Sequence, residues 1–299
     1  MLETTPRRRA DRCPGVTRPW VAEDGALVRV RLVGGRLPAR ALADLVALSG
    51  AHGDGDVHLT ARANLQVRGV AVRPTAGRDA LPEAFVAGIR AAGLLPSTSH
   101  ELVRNVMMSP LTGRRGGLAD LRPVADALDA LLLADPACAR LPGRFLFVLD
   151  DGRGDLVGRD ADLAAVALDA GHVRLRAGSA QWGPVLPLSA AAAALHDLAR
   201  RFLDLRGHGP GAAWHVEELS RPLLGPLRSR PSAPDPATGG GRPPYGTLCQ
   251  DDGRVVEHVA VPDGLLRPAL AARVLARATH EVVVTGWRSL LLPDLEAAG

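Results

Sequence analysis

The chain has 299 residues, 46% of them hydrophobic and 23% charged, which is enough to bury a large core in about two domains and too apolar for a disordered protein. All 36 basic residues are arginine, so Schiff-base, P-loop and kinase-type lysine chemistry is excluded. The formal net charge is +4 and the isoelectric point about 9.7, and any anion site here must be an arginine site.

Residues 1–16 are charged and lack an apolar period; they read as a disordered arm, with "RRR" at 7–9 as the one dense basic cluster. No aromatic residues interleave with it, so no nucleic-acid partner is expected. Residues 17–95 read as a first half domain. A strand at 26–33 alternates Leu27, Arg29 and Arg31 against Val28, Val30 and Leu32. The turn Gly34-Gly35 leads to a helix opened by Pro38, with Leu37, Leu42, Leu45 and Leu48 at helical spacing and Gly50 as its stop. A turn at 53–56, strands at 57–60 and 65–70, and a helix at 81–93 closed by Gly93 follow. Strand, helix, strand, strand, helix is half of a ferredoxin-like sandwich.

Residues 96–220 read as a separate α/β lobe, with a helix near 120–133, strands at 144–152 and 172–178, and an alanine-rich helix at 189–205. Residues 221–244 are rich in proline and glycine and form a linker. In 245–299 the opening pattern returns. Thr60 through Val67 align without a gap on Thr285 through Leu292, which indicates a duplicated unit. The expected fold class is therefore α+β: two ferredoxin-like half domains packed as a pseudo-twofold pair, with one inserted α/β lobe. In the second copy Arg62 becomes Trp287, Asn64 becomes Ser289 and Arg68 becomes Pro293. The first copy is thereby expected to face a ligand and the second to support it.

The sequence contains two asparagines, Asn64 and Asn105, and each lies next to or near an arginine in a short polar break after a strand: Arg62 in the first, Arg104 in the second. Asparagine tolerates tight turns and offers both a donor and an acceptor, so these breaks read as shaped turns that present guanidinium donors to a cleft. Arg68, near the end of its strand, and Arg144, at the start of "RFLFVLDDG", are further candidates. Several such arginines around one cavity would grip a polycarboxylate, each holding a carboxylate through two parallel hydrogen bonds. Other motifs are thin. "GDGDVH" and "GRGDLVG" miss the dinucleotide pattern, "HELVR" lacks a second zinc-ligating histidine, and the Asp pairs at 150–151 and 251–252 read as turn acids. Cys13, Cys138 and Cys249 are too few and too far apart for a disulfide framework or a self-contained metal site. No apolar run is long enough to span a membrane and no signal-peptide core is present, so a cytoplasmic protein without a membrane partner is expected.

The segments "RCPGVTRPWVAEDGALVRVRL", "GDVHLTARANLQVRGV", "LVRNVMMSPLTG", "LPGRFLFVLDDG", "AWHVEEL" and "TGWRSLLLPDL" together resemble the assimilatory nitrite and sulfite reductase superfamily, and more closely its precorrin-3B synthase branch of aerobic cobalamin biosynthesis. The resemblance runs collinearly from about residue 11 to 296. It implies an oxidoreductase that binds a polycarboxylate tetrapyrrole, as sirohaem in the reductases and as precorrin substrate in the synthase. It implies Arg62 and Arg104 as active-site arginines, with Asn64, Arg68, Asn105 and Arg144 completing the binding set. Arg144 stands where a lysine is common in the family, and Leu146 where the reductases carry a second lysine.

Family members continue into a further lobe whose four cysteines hold a [4Fe–4S] cluster, and such ligands are absent from this sequence. The resemblance therefore leaves three readings open. A cluster-bearing lobe, either on a separate chain or lost to truncation of this one and fed by ferredoxin or an NAD(P)H reductase, completes a precorrin-3B synthase-like monooxygenase. Alternatively the chain is part of a sirohaem-binding reductase, or a non-catalytic tetrapyrrole-binding subunit.

Overall fold

The computed structural model describes residues 13–75, 78–224 and 241–296. The chain divides into two compact units. One comprises Cys13–Glu101 with Arg242–Gly299; the other is Leu102–Gly241. Residues 1–12 of the expected arm and 225–240 of the expected linker lie outside the described residues.

The first stretch carries β1 (Trp20–Ala22), β2 (Gly25–Val30), β3 (Arg36–Pro38), α1 (Ala39–His52), β4 (Val57–Leu59), β5 (Leu65–Val70), β6 (Arg73–Thr75), β7 (Arg78–Ala80) and α2 (Glu83–Ala91). The Leu102–Gly241 unit carries β8 (Val106–Met108), α3 (Arg122–Ala134), β9 (Phe147–Asp150), β10 (Leu163–Ala167), β11 (His172–Ala177), β12 (Gln181–Pro187) and α4 (Ala191–Leu205). The last stretch adds β13 (Gly246–Cys249), β14 (Val255–Val259), β15 (Leu265–Leu266), α5 (Pro268–Arg277), β16 (Glu281–Val284) and β17 (Leu290–Leu295).

The duplicated unit contains two sheets of five strands, ordered β1-β2-β5-β4-β15 and β13-β14-β17-β16-β3. Each half lends its third strand to the other half's sheet. Leu37 of β3 lies opposite Val282 of β16, and Leu266 of β15 opposite Val57 of β4. The exchange is fastened by Val284 N–H donating to the Gly35 carbonyl at 2.8 Å and by an Arg36–Glu281 ion pair at 3.0 Å. Neither sheet is complete without the partner half, and one apolar core draws on both, from Leu42, Leu45, Leu65 and Phe85 to Val282 and Leu290. Strand alternation sends Val28, Val30, Leu65 and Val67 into that core and leaves Arg29 and Arg68 on the opposite face.

The segment before β1 is tied down from Val16 onward. Val16 and Thr17 donate their N–H groups to the Glu101 carboxylate at 2.6 and 2.8 Å, and Val16 packs into the core.

The Leu102–Gly241 unit has one sheet ordered β12-β11-β10-β9-β8, with β8, β9 and β10 parallel and the remainder antiparallel. Phe145, Phe147 and Phe202 form an aromatic cluster, with Phe145 centred 5.2 Å from Phe147 and 4.9 Å from Phe202. The strand expected at 144–152 stops at Asp150 for a local reason. The Asp150 carboxylate accepts the N–H groups of Gly152, Gly154 and Leu156, each at 2.9 Å, and curls the chain into a loop. The strand β10 is buried at every position, so its sequence "LAAVA" shows no alternation to read.

Candidate functional site

The turn between β4 and β5 is built from its own side chains. Thr60 Oγ1 accepts the N–H groups of Arg62 at 3.3 Å and Asn64 at 3.1 Å, and Ala63 takes a left-handed backbone with φ 55°. Asn64 is buried; its Oδ1 accepts the Leu32 N–H at 2.9 Å and pins the turn to the end of β2. The corresponding turn in the second half repeats this pattern. Thr285 Oγ1 accepts from Trp287 at 3.2 Å and Ser289 at 3.3 Å, and Arg288 has φ 58°. There the buried Ser289 hydroxyl meets His258 Nε2 at 2.7 Å.

Against the first turn lies a cavity of about 430 Å³ on the outer face of β2, β5 and β4. Arg29, Arg62, Arg68 and Arg288 line it, with His58 and Gln66 between them and Asp263-Gly264 at one edge. Gln66 anchors Arg29. With the amide oxygen turned toward the guanidinium, it accepts from Arg29 Nε at 3.0 Å and Nη2 at 2.7 Å. His58 is held by Asp54 at 2.7 Å. Burial depresses the Arg29 pKa; Cys13 opposes this, and the like charges of Arg62 and Arg68 add to it. Four guanidinium groups crowd this cavity with a single lining acid, so its lining is positively charged.

Of the residues expected from sequence, Arg62 and Arg68 line this cavity and Asn64 supports it from behind. Arg104, Asn105 and Arg144 belong to the other unit. The expected free guanidinium of Arg104 is not seen. Its Nε and Nη2 grip Asp129 of α3 at 2.6 and 2.7 Å. Asn105 shapes its turn as expected, donating to the carbonyls of Leu102 at 3.1 Å and Gly143 at 2.9 Å, beside the exposed Arg144. Arg29, His58, Gln66 and Arg288 were not singled out in the sequence. The β2 alternation already placed Arg29 opposite the core, but nothing in it separates that arginine from the other 35 of the 36. Arg288 also corrects the view of the second copy as support alone, because it reaches the first copy's cavity.

Residues 21–73 match the family model of the nitrite/sulfite reductase ferredoxin-like half domain. That stretch spans β1 to the start of β6 and contains the Thr60–Asn64 turn. The structure is similar to that of the Mycobacterium tuberculosis NirA protein, with a TM-score of 0.66 and 18% sequence identity, over 93% of this chain and 56% of the NirA chain. This chain thus covers just over half of NirA, and at that identity the likeness establishes the fold. No curated protein matches the chain in sequence. The β2, β4 and β5 strands that carry the cavity lie within the stretch matched by the half-domain model.

The cysteines do not fit an iron–sulfur cluster. Three thiols are fewer than the four a [4Fe–4S] centre takes. Cys138 is buried, its thiol pushed up to about 12 by burial and by Asp135, while Cys249 is exposed on β13. Among the described residues no helix is long and apolar enough to cross a membrane.

Proposed function

We propose that this chain is the tetrapyrrole-binding part of a precorrin-3B synthase-like oxidoreductase of cobalamin biosynthesis. The cavity lined by Arg29, Arg62, Arg68 and Arg288 carries the reading: its donors match the acetate and propionate arms of a modified tetrapyrrole. In this role Arg62 and Arg68 bind and orient the carboxylates, Gln66 holds Arg29 in register, and Asn64 keeps the turn in shape. Arg104 and Arg144, which the sequence resemblance implies for the binding set, belong to the other unit and are given no part in this cavity. The reaction implied by the sequence resemblance is oxygen-dependent hydroxylation of precorrin-3A with lactone formation. Its electrons would come from a cluster held by a lobe outside this sequence and reduced by ferredoxin or an NAD(P)H reductase, since these thiols do not make the ligand set.

Leu146 favours the synthase over sulfite reduction. It packs in an apolar cluster with Met107, Val148 and Leu156, so the position where the reductases carry their second lysine is given to packing. The match of residues 21–73 to the nitrite/sulfite reductase half domain supports the second reading, a sirohaem-binding reductase part. Anaerobic titration of the purified chain with sirohydrochlorin, followed by absorbance, tests the proposal. Saturable binding that weakens with salt, and at least about tenfold weaker binding by Arg62→Ala, is expected. Absence of binding, or an Arg62→Ala protein that binds as tightly as the parent, would overturn it. Sirohaem retained through purification would favour the reductase reading.

A further inference from the structure

Arg288 reaches the cavity from the second half domain, which also supplies Asp263 and Gly264 at one edge. Its position in the turn calls for left-handed backbone whatever residue stands there: the matching residue in the first half is Ala63, with φ 55° against 58° and the same Thr-centred hydrogen bonds. The turn therefore has no structural need of an arginine, and a long side chain in this region of backbone space is disfavoured.

The stem of Arg288 lies along a prepared floor. A Cβ added to Gly264 would come within 3.0 Å of Arg288 Cδ and 3.2 Å of its Cβ, so the absence of a side chain at 264 is what lets the stem lie flat. Gly264 lines the same cavity, as does Asp263 before it. Arginines elsewhere are routinely neutralised, as in the pairs Arg36–Glu281, Arg104–Asp129, Arg153–Asp151 and Arg254–Asp252. No carboxylate of the described residues forms an ion pair with Arg29, Arg68 or Arg288.

We infer that Arg288 is a specificity-determining residue, a carboxylate grip that the second half domain extends into the first half domain's cavity to select the more highly carboxylated tetrapyrroles. The inference rests on the tetrapyrrole reading above and adds the role of the second half to it. Loss of the guanidinium removes one two-pronged contact. The residue count of acid arms on the ligand then matters less to affinity.

The test is fluorescence titration of the full chain and its Arg288→Asn, Arg288→Met and Arg62→Ala variants with uroporphyrin, an octacarboxylate, and coproporphyrin, a tetracarboxylate. Both Arg288 variants should bind uroporphyrin about tenfold more weakly or worse, with a smaller loss for coproporphyrin. The Tm of Arg288→Asn should equal or exceed that of the parent, because asparagine tolerates left-handed backbone. Wild-type affinity for uroporphyrin in both Arg288 variants, alongside weakened Arg62→Ala, would overturn the inference and leave the tetrapyrrole reading standing. Lower affinity accompanied by a lower Tm in both variants would make Arg288 a structural residue and also overturn it. A parent chain that binds neither porphyrin would remove the tetrapyrrole reading and this inference with it.

Discussion

Arg104 and Asp129 face each other across the Leu102–Gly241 unit in a two-pronged ion pair, Nε to Oδ1 at 2.6 Å and Nη2 to Oδ2 at 2.7 Å. The side chains are 12% and 19% exposed, so the pair is shielded from solvent more than a surface bridge and the geometry is the favourable one for arginine. It ties the loop before β8 to α3. Asp129→Ala and Arg104→Ala should each cost roughly 1–3 kcal/mol in urea unfolding, since each leaves a half-buried charge without its partner. A double-mutant cycle should return a coupling of about 1 kcal/mol or more. Single variants with parental midpoints would show that the pair is incidental.

Asp155 gives the fold a pH dependence of known sign. Its side chain is 1% exposed, and Oδ2 has no hydrogen-bond partner. Burial pushes its pKa up to about 7; Ser109, which donates to Oδ1 at 2.6 Å, and Arg153, whose Nε lies 3.9 Å from Oδ2, oppose the rise, and Asp150 adds to it. In the unfolded chain the group would titrate near pH 4, so between about pH 4 and 7 the native state holds a proton that the unfolded state has released. Stability contributed here is present at low pH and is lost as pH rises through 7. Asp155→Asn keeps the acceptor for Ser109 and abolishes the ionisation. It should be close to neutral at pH 3, below both pKa values, and more stable than the parent by roughly 2–4 kcal/mol at pH 8. Equal stability differences at the two pH values, from urea melts, would contradict this.

The repeated strand–helix–strand–strand plan was legible because its longer elements keep their periods: β2 alternates, and α1 places Leu42 and Leu45 on one buried face. The exchange of β3 and β15 was not, because three residues and two residues are too short to show any period. Arg62 and Arg68 stood out through their motif, and both line the cavity. Arg104's partner lies 25 residues away on α3, a separation at which nothing in the sequence singles out one aspartate among many. Arg288 was hidden by the duplication itself. Alignment sets it against Ala63, and a comparison of the two copies looks for what the second has lost rather than for what it adds.

Asn64 holds the cavity's turn through a buried side-chain contact whose loss has a definite cost. Its Oδ1 accepts the N–H of Leu32, and both residues are buried. Asn64→Ala would strand that N–H away from water, and a loss of roughly 1–3 kcal/mol is expected in urea unfolding. Asn64→Asp keeps the acceptor, so it should recover stability at acidic pH, where the carboxyl is neutral, and lose it at neutral pH, where a charge is buried. An alanine variant as stable as the parent would mean that the Leu32 N–H finds another partner.

Gly35 and Gly50 provide a paired test of the strand exchange. Gly35 has φ +72°, and a Cβ there would collide with the Val284 carbonyl oxygen and come within 3.2 Å of Ala63 Cβ. The Gly35 carbonyl is the acceptor for Val284 N–H, so the collision falls on the seam where β3 meets the second half's sheet. Gly35→Ala should cost about 2–4 kcal/mol: roughly 1–2 for left-handed backbone on a residue with a Cβ, and the remainder for prising the seam apart. Gly50 lies within α1, is exposed, and an added Cβ would meet nothing within 4 Å. Gly50→Ala should therefore stabilise the chain by up to about 1 kcal/mol through helix propensity alone. Thermal melts of the two variants should move in opposite directions from the parent. If Gly35→Ala melts with the parent, the two halves are not locked together at this seam.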